Sequence, residues 1–434
     1  MIGEGGNLLR RGNMDLQSLR RLPLKKPAPV AALPSVRLRL SILMFLLYSA
    51  PGAIVPLFTM RLKELGFSPT QMGWCCATQA LGSLLAPLVA GQIADRWIPA
   101  ERCLLVCAVV EAALLFLLST LTTPLAVFSA SLAFWLVMAP ALTLTTAVSF
   151  AHLSRPGQQF GKVRMWGTLG WVAPNWLLGF WFSESEWAHQ VRHWIKPGEA
   201  HGMLSDAFLL AGILAVLVGF YCFTLPHTPP QRNGSVGLLA PWHAMKTLWG
   251  RAFVIYAVCT FGVSAVLPFS TQVTPLLLSH LGVSTSWLPR VLTIAQAGEV
   301  GTLLFFPRIV GWAGVRGTMC IGLLAAVLTL GGLMIGDPLE VAIGGLSMYG
   351  FCIGCYLVAG QMFLNHRARE DTRASAQALH SVLCGIGLLI GNLLVGFVRL
   401  QVQERFVPTF AVATGIAALL LAVFVVGFPR DASA

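Results

Sequence analysis

The sequence predicts an all-α membrane protein, with twelve transmembrane helices in two pseudo-symmetric six-helix bundles. Three observations point there. Of 434 residues, 56% are hydrophobic and only 11% are charged, with a mean hydropathy of +0.74, whereas soluble domains carry about 25% charged residues. Apolar runs of ~20 residues, the length that crosses a bilayer, recur twelve times between Gly, Pro and charge. The second half of the chain also repeats signals of the first at an offset near 217 residues.

Residues 1–37 are polar and carry Arg, Lys and Pro, without the short apolar core and small-residue cleavage site of a signal peptide. They read as a basic cytoplasmic tail. Spans follow at 38–60, 71–93, 101–120, 124–147, 163–183 and 206–225, forming a first bundle over 38–225. A polar segment rich in Pro, His and Gly, 226–247, reads as the cytoplasmic linker. Spans at 251–279, 286–307, 316–336, 339–362, 376–399 and 405–428 form the second bundle, 248–428, and 429–434 is a short cytoplasmic tail.

An even number of spans puts both termini on one side. Of the 29 Lys and Arg, 22 fall on that side, which the positive-inside rule assigns to the cytoplasm. The net charge of +12 therefore orients the chain and meets anionic lipid headgroups; it does not indicate nucleic acid. The expected location is a plasma membrane of the bacterial inner-membrane type. The ten cysteines all fall within spans and read as small buried hydrophobes. Cys352-x-x-Cys355 lacks a second Cys or His pair, so no metal site is expected.

The repeat rests on three matches in order. Gln79 and Gln296 lie 217 residues apart, as do Asn175-x-x-x-Gly179 and Asn392-x-x-x-Gly396. Pro56-Leu57 followed by Leu65-Gly66-Phe67-Ser68 recurs as Pro275-Leu276 followed by Leu281-Gly282-Val283-Ser284. Two halves related by an axis along the membrane normal place a binding site between them.

Candidate site residues stand out by polarity inside apolar spans. Glu299 is the only charge between Val291 and Phe306. A carboxylate at the bilayer centre costs on the order of 2.5–3.5 kcal/mol on insertion scales, so it faces a bundle interior and handles protons, ions or solutes. Gln296, three residues earlier, shares its face. Arg164, Thr168, Trp171 and Asn175 recur at i, i+4, i+7 and i+11, a polar and aromatic stripe that cannot face lipid cheaply. Arg164 offers a fork of donors and Trp171 a flat surface for a planar ring. The alternative is an interfacial anchor beside a belt tryptophan. Gln272 sits next to Pro275, which either frees backbone carbonyls near a cavity or simply kinks the helix. Tyr349 and Tyr356 share a face of the tenth span. Glu111 is a second intramembrane carboxylate, either a proton site or a packing contact, and His380 reads as an interface residue near a span end.

No nucleophile–base set, metal cluster or nucleotide fingerprint is visible. Gly157-x-x-x-Gly161-Lys162 fails as a phosphate loop by spacing and by its missing Ser or Thr. The chain reads as no enzyme and needs no cofactor, so uphill transport draws on an ion gradient.

Gly91-Gln92-Ile93-Ala94-Asp95-Arg96 closes the second span and resembles the gating-loop signature of the major facilitator superfamily. Most specific is Val163-Arg164-Met165-Trp166-Gly167-Thr168-Leu169-Gly170-Trp171, and Met138-Ala139-Pro140, Val358-Ala359-Gly360-Gln361 and Arg373-Ala374-Ser375-Ala376-Gln377 accompany it. Through these, nearly the whole chain after residue 38 resembles the nucleoside/proton symporters of that superfamily. The resemblance implies import of nucleosides or similar polar, planar metabolites with protons, by alternating access, in a monomer. It places substrate residues at Arg164, Thr168, Trp171, Gln272, Gln296, Glu299 and Tyr349, proton coupling at Glu299, and a gating loop at Gly91, Asp95 and Arg96. Members commonly carry an aspartate where this chain has Gly354 and a polar amide where it has Pro275. Rival expectations are a facilitator of a sugar, aromatic acid or drug, or a membrane-embedded ligand sensor.

Overall fold

The computed structural model describes residues 34–93, 99–154, 156–198, 201–229, 245, 248–368 and 373–429. Most of the tail, the linker, and Asp95 and Arg96 of the gating loop lie outside the described residues. Among the described residues there are helices and no strands.

Pro34–Ile54 (α1) runs through a 3-10 turn at Val55–Leu57 into Phe58–Glu64 (α2). This is one bent crossing with Pro51 and Pro56 near its bend, where missing amide donors loosen the helix ladder. Then come Pro69–Ile93 (α3), Ala100–Thr120 (α4), Pro124–His152 (α5), Pro156–Trp181 (α6), Glu186–Ile195 (α7) and Asp206–Cys222 (α8). The second half holds Arg251–His280 (α9), Leu288–Leu292 (α10), Ile294–Ile335 (α11) and Leu339–Cys352 (α12). A π-helical segment at Ile353–Val358 leads into Ala359–Arg367 (α13), then Arg373–Gln401 (α14) and Phe406–Gly427 (α15). Each of the twelve sequence-expected spans overlaps one of these helices. Among the described residues, eight stretches meet a strict length and hydropathy test for crossing a membrane.

Three local features depart from the sequence reading. The connection expected at 308–315 is helix almost throughout, and the chain breaks only at Gly314, whose φ of 65° suits glycine. The loop between α6 and α8 contains α7. Its N-cap Ser185 accepts from the Ala188 amide at 3.3 Å, and its Arg192 donates to the carbonyls of Trp181 and Ser183. His380, expected at an interface, is buried, with its Nδ1 2.6 Å from the Tyr256 hydroxyl.

The repeat is realised in backbone detail. Gly66 and Gly282, matched in sequence, both close helix turns with positive φ, 75° and 88°. Asn175 and Asn392 each donate to the carbonyl four residues earlier, at 2.8 Å and 2.7 Å. Asn175 also donates to the Gly52 carbonyl of α1 at 2.9 Å, while Asn392 receives the Gln272 amide of α9 at 2.5 Å. Each asparagine thus ties its helix to the first helix of its own half.

Helices α1, α3, α4, α5, α6 and α8 pack on one another, as do α9, α11, α12, α14 and α15. The two groups meet along α3 and α14, and where α2 meets α9 and α6 meets α10. These last contacts lie at the end of the molecule carrying the Gly66 and Gly282 turns, called here the turn end. There Arg399 of α14 reaches the Met72 sulfur of α3 while pairing with Glu404 at 2.9 Å. Arg290 of α10 lies over Trp287 and Trp176, 5.0 Å and 6.0 Å from their ring centroids. A methyl group on Gly179 of α6 would lie 2.5 Å from the Arg290 side chain. At the opposite, terminal end, no hydrogen bond or ion pair joins the two groups among the described residues.

Candidate functional site

Glycines set the site by letting backbones touch. A Cβ on Gly52 of α1 would lie 2.7 Å from the Trp171 backbone of α6. Only glycine fits at such a crossing, and the contact fixes the height of the α6 stripe against α1. Gly167, one turn below Trp171, leaves a recess in which the Arg164 side chain lies against Tyr48 of α1. The Arg164 guanidinium carbon sits 4.3 Å from the Tyr48 ring centroid, a cation–π contact that holds the fork in one place. Thr168 and Trp171 are half-buried, and the Trp171 Nε1 is enclosed without a hydrogen-bond partner.

Glycines act likewise between α11 and α12. A Cβ on Gly298 would lie 2.5 Å from the Ser347 carbonyl, and one on Gly350 would collide with the Glu299 amide. Glu299 is thereby locked in height beside Tyr349, close enough for the two side chains to interact electrostatically. The positive charge of Arg164 acts on the Glu299 carboxylate across the gap between the halves. Ion pairs among the described residues are Arg61–Glu64, Lys196–Asp206, His227–Glu101 and Arg399–Glu404, so Glu299 and Arg164 interact without forming a salt bridge. Gln296 is half-buried on the face of α11 that carries Glu299.

Charge interactions thus link Glu299 to Arg164 and to Tyr349, with Thr168 and Trp171 on the Arg164 face of α6 and Gln296 on the Glu299 face of α11. Gln272 is 5% exposed and engaged with Asn392, and it lines a separate small cavity. Asn175, the fourth member of the stripe, is absorbed in helix packing. Gly91 lies in α3, while Asp95 and Arg96 fall outside the described residues. Glu111 is 1% exposed in α4, with one carboxyl oxygen lacking a partner.

Two residues were not singled out as site residues in the sequence. Tyr48 carries no polar stripe of its own, and only the fold places it under Arg164. Gln79 was legible through the repeat, since it is the counterpart of Gln296, and it faces the interior beside Gln272.

At Gly354 the absent side chain has a packing reason. A Cβ there would lie 2.5 Å from the Thr302 methyl group, and the residue sits in the π-helical segment. π-Helical turns are frequent at functional sites.

Two groups of helices meeting around half-buried, opposite charges define a membrane transporter with the major facilitator fold. The family model described as nucleoside H+ symporter matches residues 35–433, and the chain belongs to that family. The Escherichia coli (strain K12) protein YegT is 27% identical over 82% of this chain and 83% of its own length. The xanthosine permease of the same organism is 23% identical, covering 91% and 96%. The crystal structure of the nucleoside transporter NupG superposes with a TM-score of 0.77 at 20% identity, covering 91% of this chain and all of that one.

Proposed function

We propose that the protein imports nucleosides together with protons across a bacterial-type inner membrane by alternating access. The observation that carries this reading is the charge pair at the centre of the fold. Arg164 from the first half and Glu299 from the second lie near enough for their charges to interact, each on a helix set by glycine-mediated contacts, within a chain of the nucleoside H+ symporter family. Such a pair holds a solute between the halves and changes its balance when a proton arrives.

Glu299 is the proton carrier. When it is ionised, the Arg164 charge holds it across the gap and draws the halves together. Protonation removes that attraction and frees the Arg164 donors for solute. Trp171 stacks the planar base, Thr168 and Gln296 hydrogen-bond it, and Tyr349 closes the site from α12. The cluster lies between bundles 38–225 and 248–428, joined by the linker 226–247. The Lys and Arg bias puts the terminal end in the cytoplasm. The turn end, where the halves touch, is then the outer gate, and the described conformation is closed to the outside. The functional unit is a monomer, since each chain contains both halves of the site.

Counterflow tests the substrate class. Proteoliposomes loaded with unlabelled uridine should accumulate labelled uridine, and nucleosides should compete where sugars, aromatic acids and cationic drugs do not. Competition by one of those classes alone would replace nucleosides as the substrate.

A further inference from the structure

The small cavity beside Gln272 is distinct from the charge pair, and its chemistry differs. It lies between the halves near the turn end, with an interior of about 40 Å³. That is room for about three or four waters at roughly 10–15 Å³ each, and too little for a pentose while the turn end is closed. From the first half it is lined by Thr59, Gln79 and Ser131, and from the second by Gln272 and Asn392. No charged side chain lines it among the described residues.

Two of these groups lack partners. Thr59 and Ser131 are each 3% exposed, and both hydroxyl oxygens are enclosed without a hydrogen bond. A buried hydroxyl left unsatisfied is costly, so its retention at a cavity wall points to a ligand that satisfies it. Across the cavity, Gln272 gives its amide hydrogen to Asn392, leaving its own carbonyl oxygen free to accept. Gln79 adds an amide that can both donate and accept. The set is neutral, mixed in donors and acceptors, and ringed by Phe58, Phe134 and Trp135. Neutral hydroxyls that donate and accept on an apolar ring fit such a wall, whereas a charged group would lose its hydration without a counter-charge.

We propose that Gln79, Thr59 and Ser131, with Gln272 and Asn392, form a subsite for the hydroxyl groups of a sugar, entered when the turn end opens. This rests on the nucleoside reading, for which it assigns the ribose to the neutral cavity wall and leaves the base to Trp171 and the charge pair. Gln79 and Gln296, related by the repeat, then serve the two ends of one solute from opposite halves.

The test compares uridine with 2′,3′-dideoxyuridine in proteoliposomes of wild type, Gln79→Leu and the near-isosteric pair Thr59→Val with Ser131→Ala. Each variant is expected to lower kcat/KM for uridine about 3- to 10-fold, the size of one or two neutral hydrogen bonds, and to change dideoxyuridine uptake less than about 2-fold. Equal losses for both solutes, or no loss for uridine, would overturn the subsite. Thermal protection by free ribose separates this outcome from failure of the parent reading. If wild type moves no nucleoside yet ribose protects it in a Gln79-dependent way, the subsite stands and the nucleoside assignment falls. If neither solute protects wild type, both fall.

Discussion

Replacing Tyr48 with leucine removes the ring on which the Arg164 guanidinium rests, 4.3 Å from its centroid. A cation–π contact is worth about 0.5–1 kcal/mol when exposed and about 2 kcal/mol when desolvated. Tyr48 and Arg164 are both half-buried, so the contact falls between these limits. Without the ring, the Arg164 side chain samples several rotamers in the recess opened by Gly167 and must be ordered again when solute binds, at about 0.5–1.5 kcal/mol. The expected result is a uridine affinity about 2- to 12-fold weaker in Tyr48→Leu. Tyr48→Phe keeps the ring and should stay within about 2-fold of wild type. Binding is read by isothermal titration on detergent-solubilised protein, and transport by initial rates, with the loss expected mainly in KM. Equal losses in Tyr48→Phe and Tyr48→Leu would refute the argument, because they would assign the role to the hydroxyl. An unchanged Tyr48→Leu would refute it as well.

Gly350→Ala drives a methyl group into the Glu299 backbone, so α11 and α12 must part; overpacking of this kind costs about 1–3 kcal/mol. Melting of the purified protein should fall and uptake should drop, whereas Gly344→Ala, where a methyl group meets open space, should leave melting unchanged. Asn392→Leu leaves the buried Gln272 amide without its side-chain acceptor and only a long bond to the backbone carbonyl of residue 392, at a cost of about 1–3 kcal/mol. Its melting temperature should fall, and the double change with Gln272→Leu should recover part of the loss. Arg290→Ala combined with Arg399→Ala removes side chains that bridge the halves at the turn end. Spin labels at Lys63 and Ser279 should then show a longer mean separation than in the parent, and an unchanged distance would mean that helix packing alone closes that end.

How much of this was legible in the sequence follows from what each signal depends on. The helices were legible because a bilayer demands long apolar runs, and the repeat located Asn175 opposite Asn392. Glu299 and Arg164 were legible because charge inside an apolar span is costly enough to need a reason. Their relation to each other was not, since it depends on glycine contacts between helices distant in sequence, at Gly52, Gly167, Gly298 and Gly350. The pairing of Gln272 was not legible for a similar reason. Its polarity and its neighbour Pro275 marked it as a site residue, yet Asn392, 120 residues away, takes its amide. Helix α7 was missed because ten residues are too few to stand out from a connecting loop, although Ser185 followed by Glu186 and a cationic last turn carries helix-end signals.

The most direct test of proton-coupled import through Glu299 is labelled uridine uptake into proteoliposomes, with and without an inward proton gradient, for wild type and Glu299→Gln. The account predicts accumulation above equilibrium in wild type only when the gradient is present. It predicts loss of that accumulation in Glu299→Gln, with uridine exchange across the membrane retained. Uptake indifferent to the gradient, or gradient-driven accumulation undiminished in Glu299→Gln, would contradict it.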